Sequence, residues 1–240
     1  MTRPRNIYSN QEMLFEQISQ NKQHIIPKLT SMLLEVHRLN QLTPLFDLIR
    51  EVSSATAVHS KGVAAVAQTL GDKAGLNEGQ TTLLALSGVL HDVGKIAVPD
   101  HILNKAGPLS ENEAQEMQSH VELTISILST IPLHSSIIRW CALHHERLNG
   151  KGYPFGLDRS VLDEGSRIMS IADVFVALTE DRIYRKGMAP QDAVSVIEHM
   201  VGDLELDPRL FALLKSNPNL YNDKRLVVQH AATNTFQAAS

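Results

Sequence analysis

The 240-residue sequence predicts an all-α fold. Three observations carry this. Apolar residues recur at helical spacing almost throughout, cap residues punctuate those stretches, and no run alternates with period two for long enough to make a strand. Taken in order, Leu14, Phe15 and Ile18 share one helical face, as do Met32, Val36 and Leu39 on the next. Thr43-Pro44 reads as an N-cap with proline at the first helical position, opening a helix through Leu45, Phe46 and Ile49. A longer helix carries Val58, Val63, Val66, Ala67 and Leu70 and stops near Gly75. Asn77 caps the next, which runs through Leu83, Leu86 and Leu90 to His91. Ser110-Glu111-Asn112-Glu113 forms a capping box and starts one helix with Met117, Val121, Ile125 and Leu128. Ile137, Ile138 and Cys141 lead to a helix end at His144-His145, and Pro190 and Pro208 occupy first-turn positions of two later helices.

A domain boundary is expected near residue 50. Residues 1–50 then form a short helical appendage for packing, dimerisation or regulation, residues 51–221 the main domain, and 222–240 a polar tail that frays. Composition narrows the function. A formal net charge of −4 argues against a general DNA, RNA or anionic-membrane binder. Cys141 is the single cysteine, so no internal disulfide forms. The first residues lack the apolar core of a signal peptide, and runs such as 83–90 fall short of the ~20 residues a spanning helix needs. The expected compartment is the cytosol.

The chemistry lies in histidines and carboxylates. Asp173 sits within Ile171-Ala172-Asp173-Val174-Phe175, apolar on every side, and a buried carboxylate demands a partner or a metal. Its structural reading is a cap or an ion pair with an arginine such as Arg167. His91-Asp92 meets a helix end marked by Gly94 and Pro99. Adjacent helical residues diverge by about 100°, so both face one site only where the helix stops. His59 and His120 lie beside apolar faces, where a histidine also serves as an ordinary core residue. His144-His145 stand at a helix C-terminus, which suits cations for electrostatic reasons alone. The conjunction points to metal: five of the eleven histidines and two carboxylates share these settings. His24, His37, His101, His134, His199 and His230 read as surface or packing residues. A set without thiolates favours iron, manganese or zinc.

These motifs resemble one family. His91-Asp92-Val93-Gly94-Lys95-Ile96, Pro99-Asp100, His144-His145-Glu146 with Gly150-Lys151-Gly152-Tyr153-Pro154, and Asp181-Arg182-Ile183-Tyr184-Arg185 are similar to those of the HD-GYP group of HD phosphohydrolases, over roughly residues 55–215. The resemblance implies an HD-domain helical bundle and a metal-dependent phosphodiesterase for cyclic di-GMP or a related cyclic dinucleotide. It implies one metal on His59, His91, Asp92 and Asp173, and a second on His120, His144 and His145 with Asp92 shared. Asp92 and Lys95 are then the catalytic residues, while Lys95, Tyr153, Arg182 and Arg185 contact substrate. The Gly152-Tyr153-Pro154 loop is implied as a lid or a docking point for a protein partner. Five departures stand out, four of them being Ala55 for a glutamate that supports a third metal in many members, Asn149 for an aspartate, Thr124 for a glycine, and Ile183 for a proline. Val176 also replaces a frequent aspartate. Two divalent ions, not three, are expected, iron or manganese before zinc.

Two such ions ionise a water near neutral pH and clamp the phosphoryl oxygens, after which in-line attack expels the ribose 3′ oxygen. Lys95 would stabilise the equatorial charge and the arginines would fork onto phosphate or a guanine edge. Ala55 leads to the expectation that reaction stops at the linear dinucleotide before GMP. The alternative is a catalytically weak sensor or scaffold that binds a nucleotide or partner through the same pocket. A homodimer through residues 1–50 is a further reading.

Overall fold

The computed structural model describes residues 53–181 and 185–238, and among these every regular element is helical. The elements are α1 (Ser54–Ala74), α2 (Glu78–Leu90), a 3-10 turn (Val93–Ala97), α3 (Asp100–Leu103), α4 (Glu111–Gln118), α5 (His120–Leu128), α6 (Ser135–Leu143), α7 (Glu164–Thr179), α8 (Pro190–Gly202), α9 (Pro208–Ser216) and α10 (Pro218–Ala238). The expected helices before residue 50, the boundary there and Arg182 lie outside the described residues.

Local chemistry explains the ends. Ser53 accepts from the Thr56 amide at 3.1 Å, and α1 closes at Gly75 with φ of 89°, a left-handed cap. Asn77 and Gln80 form a reciprocal capping box, as do Ser110 and Glu113. Pro190 and Pro208 stand in first turns, where a missing N–H costs nothing.

Two differences from the sequence reading matter. The helix expected from Ser110 to Leu128 divides at Ser119, and His120 opens α5. There the His120 ring donates its Nδ1 hydrogen to the Met117 carbonyl at 2.7 Å, which turns the imidazole back across the break. The second difference is at the carboxyl end. The expected polar tail after Tyr221 is instead most of α10, packed along α1 with Arg225, Gln229 and Ala232 buried. Its polarity misled because the buried polar atoms are satisfied inside the domain, not by water.

Helix α1 is central, packing against α2, α7, α9 and α10. One core joins Val66, Leu70, Leu84, Ile168, Phe175 and Leu210, all fully buried. Each such side chain stabilises the fold by about 1.5–3 kcal/mol relative to an exposed one. Another core lies under the 3-10 turn, where Leu90, Val93, Ile96, Ile127 and Cys141 meet. The histidines and carboxylates gather beside it, where α2 and α6 end, α5 begins, and α1 crosses α7.

Candidate metal centre

His91, His120 and His144 share one device. Each donates its Nδ1 hydrogen to the carbonyl three residues earlier: Gly88 at 2.8 Å, Met117 at 2.7 Å and Cys141 at 2.6 Å. A carbonyl only accepts, so Nδ1 carries the proton and Nε2 presents a lone pair. All three Nε2 atoms and Asp92 Oδ1 are buried without a hydrogen-bond partner among the described residues. Buried polar atoms are rarely left so.

The orphaned atoms converge. The ligand-type atoms of His59, His91 and Asp173 lie within 4.8 Å of one another, as do those of His120, His144 and His145, and those of His91, Asp92 and His144. Asp92 lies between the groups. Its Oδ1 is 3.2 Å from His120 Nε2, and its Oδ2 is 3.3 Å from His91 Nε2 and 4.0 Å from His59 Nε2. Asp92 leaves helical backbone at φ −104° and ψ 10°, so the divergence expected of helical neighbours does not apply. Acceptors facing acceptors at such distances repel unless positive charge, from a metal ion or from a proton on one of the rings, stands among them. The donor set fits divalent metal: imidazoles fixed with Nε2 inward, two carboxylates, and no thiolate.

Electrostatics agree. Burial opposes ionisation of Asp92, yet the His91 ring and the Lys95 ammonium hold its carboxyl well below the usual range. Burial likewise opposes ionisation of Asp173, and the His59 hydrogen bond with the neighbouring imidazoles holds it well below as well. Burial, helped by His91, pushes His144 down to about 3, and burial with His144 pushes His145 well below its ordinary value. His59 is the exception. Burial would lower it, but the Glu180 and Asp173 carboxylates on either side raise it to about 10. Asp173 pairs with His59 at 3.1 Å, and Arg167 bonds Asp207, Leu162 and Arg159 instead. The arginine partner considered for Asp173 is therefore not the one the fold provides.

The remaining expected residues are placed as follows. Lys95 Nζ donates to Asp92 Oδ2 at 2.6 Å and stays partly exposed. The Tyr153 ring stacks on His145, with centroids 4.6 Å apart. Arg185 donates to the Ala177 carbonyl at 2.6 Å. Ala55 is exposed, one turn before His59, and its methyl offers no ligand atom. Cys141 is a buried core thiol donating to the Ser87 carbonyl. His101, His134, His199 and His230 are exposed and outside the cluster.

Two departures gain structural roles. Thr124 Oγ1 accepts from the Gly94 amide at 2.9 Å and donates to the His91 carbonyl at 3.1 Å, tying the His-Asp turn to α5. A Cβ on Gly94 would lie 2.0 Å from the His120 carbonyl, so only glycine lets the His-Asp turn and the His120 segment approach. Asn149 donates to the Asp203 carbonyl and accepts from the Lys151 amide, which are structural bonds. Val176 is fully buried core.

The rim is anchored at Glu146. A Cβ on Gly152 would lie 2.4 Å from Glu146 Cα, so this glycine permits close approach. Glu146, buried and given no role in the sequence reading, accepts from the Phe155 amide at 2.7 Å and the Leu157 amide at 2.8 Å. Glu180 was also missed; its Oε1 lies 2.9 Å from His59 Nδ1. Glu146 stands inside the His144-His145-Glu146 motif, which marked the residue without its role, whereas Glu180 lies in no such pattern because its partner His59 is 121 residues away.

Comparisons with known proteins agree with this geometry. The family model described as HD domain matches residues 14–210. A Vibrio cholerae 3'3'-cGAMP-specific phosphodiesterase 1 is 38% identical over 169 residues, covering 70% of this chain and 39% of the relative. A Pseudomonas aeruginosa cyclic di-GMP phosphodiesterase is 33% identical over 167 residues, covering 69% of this chain and 40% of the relative. The chain thus spans about two fifths of the length of these relatives. The solved HD domain of the L. monocytogenes phosphodiesterase PgpH, in complex with cyclic-di-AMP, superposes with a TM-score of 0.57 at 18% identity. It covers 73% of this chain and 93% of that one, and shows the shared all-α fold. No described helix is long and apolar enough to cross a membrane. With the His-Asp turn, the paired histidines and the Gly-Tyr-Pro rim around one cluster, this chain belongs to the HD domain family, in its HD-GYP group.

Proposed function

We propose that this chain carries the catalytic unit of a cyclic-dinucleotide phosphodiesterase, acting on cyclic di-GMP or cyclic GMP-AMP through two divalent ions. The observation that supports it most is the set of inward Nε2 atoms on His91, His120 and His144, locked by backbone carbonyls beside Asp92 and Asp173. His59, His91, Asp92 and Asp173 would hold one ion, and His120, His144 and His145 the other, with Asp92 serving both. Iron and manganese suit these donors best, with zinc next. When bound, the ions lower the cost of ionising a water near neutral pH and neutralise charge on the phosphoryl oxygens.

The chain's own groups supply the rest. Asp92 fixes the two ligand sets in one frame and carries the charge between them. Lys95 is held against Asp92 and presents its remaining ammonium hydrogens toward the partly open side, where a phosphoryl oxygen can accept them. Tyr153 is a neutral donor and aromatic face, since burial and the Asp173 charge push its phenol above the ordinary value. Arg182 and Arg185 are assigned to the second phosphate or a guanine edge. For Arg185 this assignment requires the guanidinium nitrogens not used on Ala177. Phe155, exposed beside Pro154, suits the protein contact proposed for this rim.

The test is turnover by the purified chain loaded with manganese or iron, against cyclic di-GMP and cyclic GMP-AMP. Hydrolysis of at least one, lost in Asp92→Asn, is expected. Two bound ions with no hydrolysis of either, across iron, manganese and zinc, would move the reading to a nucleotide-binding sensor.

A further inference from the structure

The Nδ1 bonds of His91, His120 and His144 are local, each closed within one helical turn. His59 is oriented differently. Its Nδ1 lies 2.9 Å from Glu180 Oε1, a partner 121 residues away at the end of α7. A carboxylate only accepts from an imidazole N–H, so this contact keeps a proton on Nδ1; Nε2, which gives its own hydrogen to Asp173 at 3.1 Å, is then the nitrogen left to a metal once that hydrogen is lost.

Glu180 is held in turn from α10. Gln229 Nε2 approaches Glu180 Oε2 at 3.4 Å and donates to the Val58 carbonyl, next to His59, at 3.1 Å. Gln229 Oε1 accepts from Arg225 Nη1. Arg225 Nη2 donates to the Thr179 carbonyl, next to Glu180, at 3.1 Å. Both α10 side chains are 5% exposed. A buried guanidinium and amide are costly unless fully bonded; besides Arg225's bonds to Asn222 on its own helix, their bonds reach the two backbone segments that carry His59 and Glu180.

We propose that Glu180 and Gln229 are positioning residues for His59, through which the carboxyl-terminal helix α10 sets metal affinity at the His59–His91–Asp173 group. This rests on reading that group as a metal site. The chemistry is general: a carboxylate behind a ligating histidine fixes its tautomer and raises its basicity, and its loss costs about 10- to 100-fold in metal affinity.

The test uses the full 240-residue chain with zinc, read by chelator competition and by long-range ¹H–¹⁵N spectra of the imidazoles. Glu180→Ala should weaken one of the two ions by about 10- to 100-fold and leave the other unchanged. Gln229→Ala should act in the same direction by less, and Glu180→Gln should recover part of the loss because its amide oxygen still accepts. In the spectra His59 alone should lose its fixed Nδ1–H tautomer, while His91, His120 and His144 keep theirs. A purely structural role would not single out one ring. Folded Glu180→Ala and Gln229→Ala chains with wild-type affinity and an unchanged His59 tautomer would overturn the proposal. If Glu180→Ala fails to fold, Glu180→Gln and Gln229→Ala decide it by the same readings. A wild-type chain that takes up no zinc would instead refute the metal reading itself, and this proposal with it.

Discussion

Glu146 gives the sharpest structural prediction. Its buried carboxylate receives two backbone N–H groups, from Phe155 and Leu157, at 2.7 and 2.8 Å. In Glu146→Gln the size is kept, but one oxygen becomes an NH₂ that must face an amide N–H. One bond is lost with a donor left against a donor, and the other loses its charge assistance. With hydrogen bonds to charged groups contributing about 1.5–3 kcal/mol, the local cost is about 2–4 kcal/mol. That cost falls on the rim, since Glu146 is not among the clustered ligand groups. The assay is native-state hydrogen exchange. At 1.4 kcal/mol per factor of ten, the Phe155 and Leu157 amides should exchange roughly 30- to 700-fold faster, while the Ala172 amide in α7 keeps its protection. Wild-type exchange at Phe155 and Leu157 would refute the anchoring argument. A matching loss at Ala172 would refute it differently, by showing that Glu146 holds the whole domain.

Further predictions follow from other contacts. Gly94→Ala drives a methyl into the His120 carbonyl, so it should destabilise the fold by about 1–3 kcal/mol and weaken metal uptake at the His120 group; denaturant titration and metal analysis check this. Cys141 is fully buried, and burial pushes its thiol pKa up, so thiol reagents at pH 8 should modify it only after unfolding, as mass spectrometry will show. Ala55 leaves no donor one turn before His59, so chromatography of products should find the linear dinucleotide accumulating. Rapid, complete conversion to mononucleotide would contradict that expectation.

The parts legible in the sequence are those fixed by local rules. Asn77, Ser110, Pro190 and Pro208 announced helix starts because a cap acts within three residues, and the structure places each at such a start. The converging histidines were legible through motif order, although spacing alone could not show that Asp92 lies between two groups. What escaped depended on tertiary approach. The break at Ser119 comes where the His120 ring and the Ser119 amide both reach the Met117 carbonyl, which helical periodicity does not register. Polar residues 222–238 looked like a tail because their composition is solvent-like. Arg225 and Gln229 are nonetheless buried, with partners near residues 58 and 179 that no local pattern joins to them. The Gly152-Tyr153-Pro154 loop reads as a lid or docking point, and its sequence does not show that Gly152 is needed where the rim presses on Glu146.

The central claim is a two-ion centre bridged by Asp92, and metal stoichiometry tests it most directly. Titration of the full chain with manganese should reach two ions. His59→Ala and His120→Ala should each remove a different one, and Asp92→Asn should weaken both. A wild-type chain that saturates with a single ion, or His59→Ala and His120→Ala variants that lose the same ion, would contradict it.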